Sequence, residues 1–237
     1  MTLRRWADEA VVEAVGQERR HDPILPRTGG PAGNARLTAW TGAILLVLFL
    51  AELVTLLDVR GLIGWHIVVG TLLVPPALVK TGSTGWRILR YYTRRTPYVT
   101  AGPPPMFLRV LGPLVVLFTL AVLGSGLALA ALGPDAGRAP FLGLAGYSLS
   151  WLTVHQATFV LWAVVTGLHA LGRLVPAVQI ITSHEHGKAA IPGRVSRIGL
   201  LAATLAVAGV AAALVLGLSG DWSTGTAFQH FHHATGN

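Results

Sequence analysis

The chain has 237 residues, 52% of them hydrophobic and only 12% charged, and its mean hydropathy is positive. That balance excludes an ordinary soluble domain and indicates one integral membrane domain. The net charge of +8 lies mostly in loops beside apolar spans, where it sets orientation rather than recruiting nucleic acid. With no cysteine, disulfides, iron–sulfur clusters and covalent c-type haem attachment are excluded as well.

Residues 1–36 contain no apolar core of signal-peptide length, so a retained cytoplasmic arm is expected. Leu3, Trp6, Ala7, Ala10, Val11, Ala14 and Val15 recur at three- and four-residue intervals. They mark one face of an amphipathic helix, suited equally to the inner leaflet and to docking on protein. Pro23, Pro26, Gly29, Gly30, Pro31 and Gly33 follow as a flexible connector.

Five apolar segments then reach the roughly 20 residues needed to cross a bilayer core of about 30 Å; they lie near 37–58, 61–81, 106–132, 149–172 and 195–218. Arg87, Arg90, Arg94 and Arg95 lead into the GPPP of residues 102–105 after the second, and Arg173, Lys188, Arg194 and Arg197 follow the fourth. Both connections are therefore expected in the cytoplasm. The segments Asp58–Arg60 and 133–148 are poor in positive charge and are expected outside, as is the tail from Asp221. The predicted fold class is all-α: an integral membrane helical bundle with its N-terminus inside and its C-terminus outside. Four helices over 37–172 form the core, a cytoplasmic loop covers 173–194, a fifth helix spans 195–218, and an outer tail takes 219–237. The fifth span is nearly all Ala, Leu, Val and Gly, a composition for close helix packing.

The fourth span, in TVHQATFVLWAVVTGLHALGR, holds His155 and His169 within an apolar run. Fourteen residues at about 100° each return to within roughly 40° of the starting direction, so both rings share a face, about 21 Å apart along the axis. One metal ion cannot take both. The second span repeats the spacing with His66 and Lys80 in GWHIVVGTLLVPPALVKTG. The two spans run in the same direction, so His66 can meet His155 at the outer side while Lys80 faces His169 at the inner side. Paired imidazoles at one depth suit a bis-imidazole haem, which needs two axial nitrogens about 4 Å apart. Gly70 and Gly167 lie near this seam, where a missing Cβ leaves room for a flat macrocycle. Intramembrane histidines also bond carbonyls of neighbouring helices, line proton paths or bind other metals. A lysine at the end of a span commonly snorkels to the headgroups, and ligates iron only as the neutral amine.

Glu52 is the single acidic residue well inside a span. It is a candidate proton acceptor for a quinol beside the outer site, with a bond to a neighbouring helix or to headgroups as the other reading. Arg87, Arg109 and Arg173 near the inner surface can pair haem propionates, and ordinary positive-inside charge accounts for them equally. Trp40, Trp65, Trp86, Trp151 and Trp162 are placed mostly where interfacial anchors belong. The tail AFQHFHHATGN adds His230, His232 and His233, and the loop adds His184 and His186. The tail tract is compatible with metal binding, a partner contact or no order at all.

The chain resembles the four-helix di-haem membrane cytochromes, the cytochrome b561-like and respiratory cytochrome b group. It is also similar to uncharacterised actinobacterial membrane proteins through GWHIVVG, LLVPPALVKTGSTGWRILRYYT, AGPPPMFLRVLGPLVVL and VHQATFVLWAVVTGLH. The resemblance covers residues 37–172. It implies His66 and His155 as axial ligands of an outer haem b, and His169 as one ligand of a second, inner haem. Lys80 stands where the broader group has a histidine, so the inner haem can be His/Lys ligated, five-coordinate or absent. The expected function is a b-type cytochrome of a bacterial plasma membrane, passing electrons between quinol and an outer-face redox protein or across the bilayer. No span carries a nucleophile–base pair or a nucleotide loop, so any oxidoreductase chemistry is borrowed from haem, quinone or another subunit. The alternatives are a haem-free structural or assembly subunit of a larger respiratory complex, and a transporter with histidines in a proton or metal path.

Overall fold

The computed structural model describes residues 3–17, 22–144, 146–182, 191–218 and 222. His184, His186, His230, His232 and His233 lie outside the described residues. The elements run α1 (Leu3–Ala14), α2 (Gly30–Thr55), a 3-10 turn (Leu56–Asp58), α3 (Ile63–Tyr92), α4 (Thr96–Thr100), α5 (Met106–Arg138), β1 (Leu142–Leu144), β2 (Tyr147–Leu149), α6 (Trp151–Thr182) and α7 (Arg194–Leu218). Among the described residues five helices, α2, α3, α5, α6 and α7, are long and apolar enough to cross a membrane. The chain is an all-α, multi-pass membrane protein.

The helices differ from the apolar segments mainly at their ends. Helix α3 continues to Tyr92, eleven residues past the expected limit of 81, because polar side chains here are satisfied within the protein: Ser83 donates to the Lys80 carbonyl at 3.0 Å and meets Thr38 Oγ1 at 2.9 Å. Helix α6 continues through Pro176 to Thr182. Helix α5 is interrupted at Gly133, whose φ of 79° and ψ of 171° are not helical, so the apolar helix stops close to the expected residue 132. The connection that follows holds a small antiparallel hairpin, with Leu142 opposite Leu149 and Gly143 opposite Ser148.

Two compact units make up the chain: Met1–Leu46, Pro76–Val116 and Val164–Thr204 form the first, Val47–Pro75, Leu117–Ala163 and Leu205–Asn237 the second. In the first, α2 is stitched to α3 by Asn34 Nδ2 donating to the Ser83 carbonyl at 3.0 Å and by Lys80 Nζ donating to the Thr38 carbonyl at 3.1 Å. The arm is docked there too. The buried Glu13 of α1 accepts from Arg173 of α6, Gln179 donates to the Gly16 carbonyl at 3.3 Å, and Asp22 takes both nitrogens of the Arg87 fork at 2.8 and 3.3 Å. Val11 and Val15 remain exposed while Glu13 is buried, so α1 turns its Glu13 side toward the protein and leaves apolar side chains for the surroundings. In the second unit Trp162 is buried, donates to Thr119 Oγ1 at 3.1 Å and packs on Phe49. It therefore belongs to the interior rather than to an interfacial belt, unlike the exposed Trp40, Trp65, Trp86 and Trp151.

Arg173→Ala removes a charged partner from a buried carboxylate, a change worth on the order of 1–3 kcal/mol. The expected outcome is faster tryptic cleavage within residues 1–36 of the detergent-solubilised protein; unchanged cleavage would show that Glu13 does not hold the arm.

Candidate functional site

The second unit brings His66 of α3 and His155 of α6 together, with ring centroids 6.2 Å apart and planes at 81°. Each ring is fixed by a neighbouring helix. His66 Nδ1 lies 2.9 Å from Glu52 Oε1 and 3.0 Å from Thr55 Oγ1, both on α2. His155 Nδ1 lies 3.1 Å from Ser125 Oγ and 3.1 Å from the Val122 carbonyl, both on α5.

The two sets of contacts share one logic. Thr55 donates its hydroxyl proton to the Glu52 carbonyl three residues back at 2.6 Å, and Ser125 donates to the Val122 carbonyl three residues back at 3.1 Å. With the proton committed to the backbone, each hydroxyl oxygen faces the imidazole as an acceptor. A carbonyl can only accept, so Val122 fixes the direction for His155 independently. Both rings therefore carry hydrogen on Nδ1, and in the neutral imidazole the lone pair resides on Nε2. Among the described residues no hydrogen bond engages either Nε2. This is how metal-ligating histidines are commonly oriented: one nitrogen held by an outer partner, the other available.

Glycine supplies the remaining clearance. A Cβ on Gly126 of α5 would stand 3.1 Å from His155 Cε1 and 3.6 Å from its Nδ1, so only glycine lets the ring lie this close to the helix. At Gly70 a Cβ would press on Glu52 Oε1 at 3.3 Å, which makes this glycine a seat for the carboxylate. Gly167, in the first unit, has open space where its Cβ would be. Glu52 Oε2 is buried with no hydrogen-bond partner among the described residues. No group of three or more His, Cys, Asp or Glu residues among those described could hold a bare metal ion.

The first unit holds the other predicted ligands. Lys80 Nζ is bonded to the Thr38 carbonyl, and His169 Nδ1 is buried without a hydrogen-bond partner among the described residues. His169 thus lacks the outer partner that orients His66 and His155. Arg173 and Arg87 are paired with Glu13 and Asp22 of the arm. Arg109, exposed, donates from Nε to the Pro104 carbonyl at 2.8 Å. Sequence reasoning missed Thr55, Ser125 and Gly126. Its one available signal was the SG pair of VLGSGLALA, a polar and a Cβ-less residue side by side within an apolar run.

Comparison with known proteins gives no match: no family model, no curated protein and no solved structure matches the chain.

Nitrogen-15 NMR of histidine-labelled protein is expected to show His66 and His155 as Nδ1-protonated tautomers, with Ser125→Ala shifting only the His155 resonances. An Nε2-protonated form for either ring would contradict the arrangement.

Proposed function

We propose that the chain is a b-type membrane cytochrome whose haem is held between α3 and α6 by His66 and His155. The observation that carries this reading is the adjacent pair of imidazoles, each with Nδ1 anchored and Nε2 left over. Two nitrogens bound to one metal at about 2 Å each stand about 4 Å apart, and with each ring centre roughly 1 Å further back the centroids fall about 6 Å apart. The observed 6.2 Å is close to that requirement. Haem bound there supplies one-electron storage and transfer.

The protein's own residues do the rest. Thr55 and Glu52 orient His66, and Ser125, Val122 and Gly126 orient His155, so neither ring has to reorganise to ligate. Hydrogen bonds from Nδ1–H to a carboxylate or carbonyl raise the basicity of Nε2 and so strengthen it as a ligand. Glu52 commits Oε1 to His66 and keeps Oε2 as the acceptor for a proton from a bilayer-soluble quinol, the electron donor in this reading. The acceptor is a redox protein at the outer face of a bacterial plasma membrane. The end of α3 that carries Arg87 and Arg90 and the Arg173 half of α6 lie toward the cytoplasm together with the N-terminus. A single haem is proposed, because the outer partners seen at His66 and His155 have no counterpart at His169.

Pyridine haemochrome analysis of purified protein tests the reading: about one haem b per polypeptide is expected, and a colourless preparation would favour a haem-free structural subunit. His66→Ala and His155→Ala are each expected to abolish the low-spin spectrum while His169→Ala preserves it. Glu52→Ala should weaken haem retention by about 10–100-fold, the usual cost of losing an outer partner of a ligating histidine.

A further inference from the structure

The first unit carries positive charge that its packing absorbs only in part. Its stretch Pro76–Val116 holds Lys80, Arg87, Arg90, Arg94, Arg95 and Arg109, and neither Asp nor Glu. Lys80 is engaged by the Thr38 carbonyl, Arg87 by Asp22, Arg90 by the face of the Trp86 ring at 4.1 Å, and Arg109 by the Pro104 carbonyl. Among the described residues no hydrogen bond, ion pair or ring contact engages the side chain of Arg94 or Arg95.

Arg94 is also held in a backbone conformation that its residue type disfavours. Its φ is 55°, in the left-handed region where a Cβ is costly and glycine is usual. Helix α3 ends on it: the Arg94 N–H donates to the Tyr91 carbonyl at 3.0 Å and the Arg95 N–H to the Arg90 carbonyl at 3.0 Å. That pair of bonds closes a helix around a left-handed residue. At the next helix end, after α4, glycine fills the left-handed place: Gly102 has a φ of 71° and donates to the Val99 carbonyl at 3.0 Å. For ending the helix alone, glycine would serve better at 94 as well. Strain kept at a residue that lines a cleft indicates that the side chain is used.

The cleft is open, has a volume of about 490 Å³, and is lined by Arg94 with Tyr91, Tyr92, Thr96, Val99 and Thr100. Tyr91 and Tyr92 stand edge to face with centroids 5.4 Å apart, and with Val99 they supply apolar walls. The donors are the five N–H groups of the guanidinium and the Thr96 hydroxyl, which has no partner among the described residues; Thr100 gives its proton to the Thr96 carbonyl at 2.9 Å. No carboxylate lines the cleft, so an oxyanion completes it. A planar carboxylate has both oxygens occupied by the Arg fork, whereas phosphate keeps further oxygens for Thr96. We propose that this cleft at the end of α3 binds a phosphate group through Arg94 and Thr96. The 30 residues of α3 at about 1.5 Å each cover about 45 Å, the thickness of a bilayer with its headgroups. Its end is therefore within reach of phospholipid headgroups and of free phosphate. The site uses none of the residues that orient His66 and His155, so its failure leaves the haem reading untouched.

Two measurements on the full chain separate the sources. Native mass spectrometry after release from nanodiscs of equal phosphatidylglycerol and phosphatidylcholine reads headgroup binding, and calorimetric titration with inorganic phosphate, in nanodiscs of phosphatidylcholine alone, reads free phosphate. Preferential retention of phosphatidylglycerol or saturable phosphate binding is expected, and the arm that responds identifies the source. Arg94→Gly removes a charge-assisted bond while suiting the left-handed backbone, so binding should fall about ten-fold or more with Tm unchanged or raised. Thr96→Val removes a neutral bond and should cost about five-fold. Arg95→Ala, outside the cleft, should stay within about two-fold. No response in either arm, undiminished binding or a lowered Tm in Arg94→Gly, or an equal loss in Arg95→Ala would overturn the proposal.

Discussion

The constraint on which the rest depends is the need to satisfy a polar ring where no water is at hand. An imidazole in an apolar helix presents two nitrogens, and an unsatisfied buried group costs about 1–3 kcal/mol. At His66 and His155 the cost is met for one nitrogen by a hydroxyl from the adjacent helix, Thr55 in one case and Ser125 in the other. Because each hydroxyl has given its own proton to its own helix backbone, it can only accept. The direction of the ring's hydrogen bond is thus dictated by helix geometry, and with it the nitrogen that is left over. The same contacts tie α2 to α3 and α5 to α6 within the second unit, so the orientation of the rings and the packing of the helices are one structural problem.

The two kinds of histidine in this chain show how the surroundings rather than the residue decide the chemistry. His66 and His155 each meet an acceptor on one nitrogen and stand 6.2 Å apart between ring centroids, an arrangement suited to ligation. His169 Nδ1 is buried and meets no hydrogen-bond partner among the described residues. The first pair has the anchored geometry that ligation of a metal centre calls for, and the His169 ring does not. Lys80 illustrates the same point: a lysine near the end of a span is usually described as snorkelling, yet here its ammonium turns back onto the Thr38 carbonyl beside Gly42.

The spans and the shared level of His66 and His155 were legible in the sequence because both follow from local regularities. Hydropathy over about 20 residues reports a crossing, and a fixed rotation per residue reports which side chains share a face. Helix ends were less legible. Residues 82–92 look like a loop by composition, and they stay helical because Ser83 finds partners on α2 that no local pattern announces. The docking of the arm was equally out of reach, since Glu13 and Arg173 are 160 positions apart in the chain. Ser125 escaped notice for a different reason. A serine in an apolar span ordinarily bonds to its own backbone, and Ser125 does that as well as receiving His155.

The most direct test of the account is electron paramagnetic resonance of the oxidised, purified protein. Two imidazoles clamping one iron predict a low-spin ferric haem signal, and the 81° between the ring planes predicts the highly anisotropic form associated with nearly perpendicular axial ligands. A high-spin signal alone, or no haem signal from folded protein, would contradict the claim that His66 and His155 share an iron.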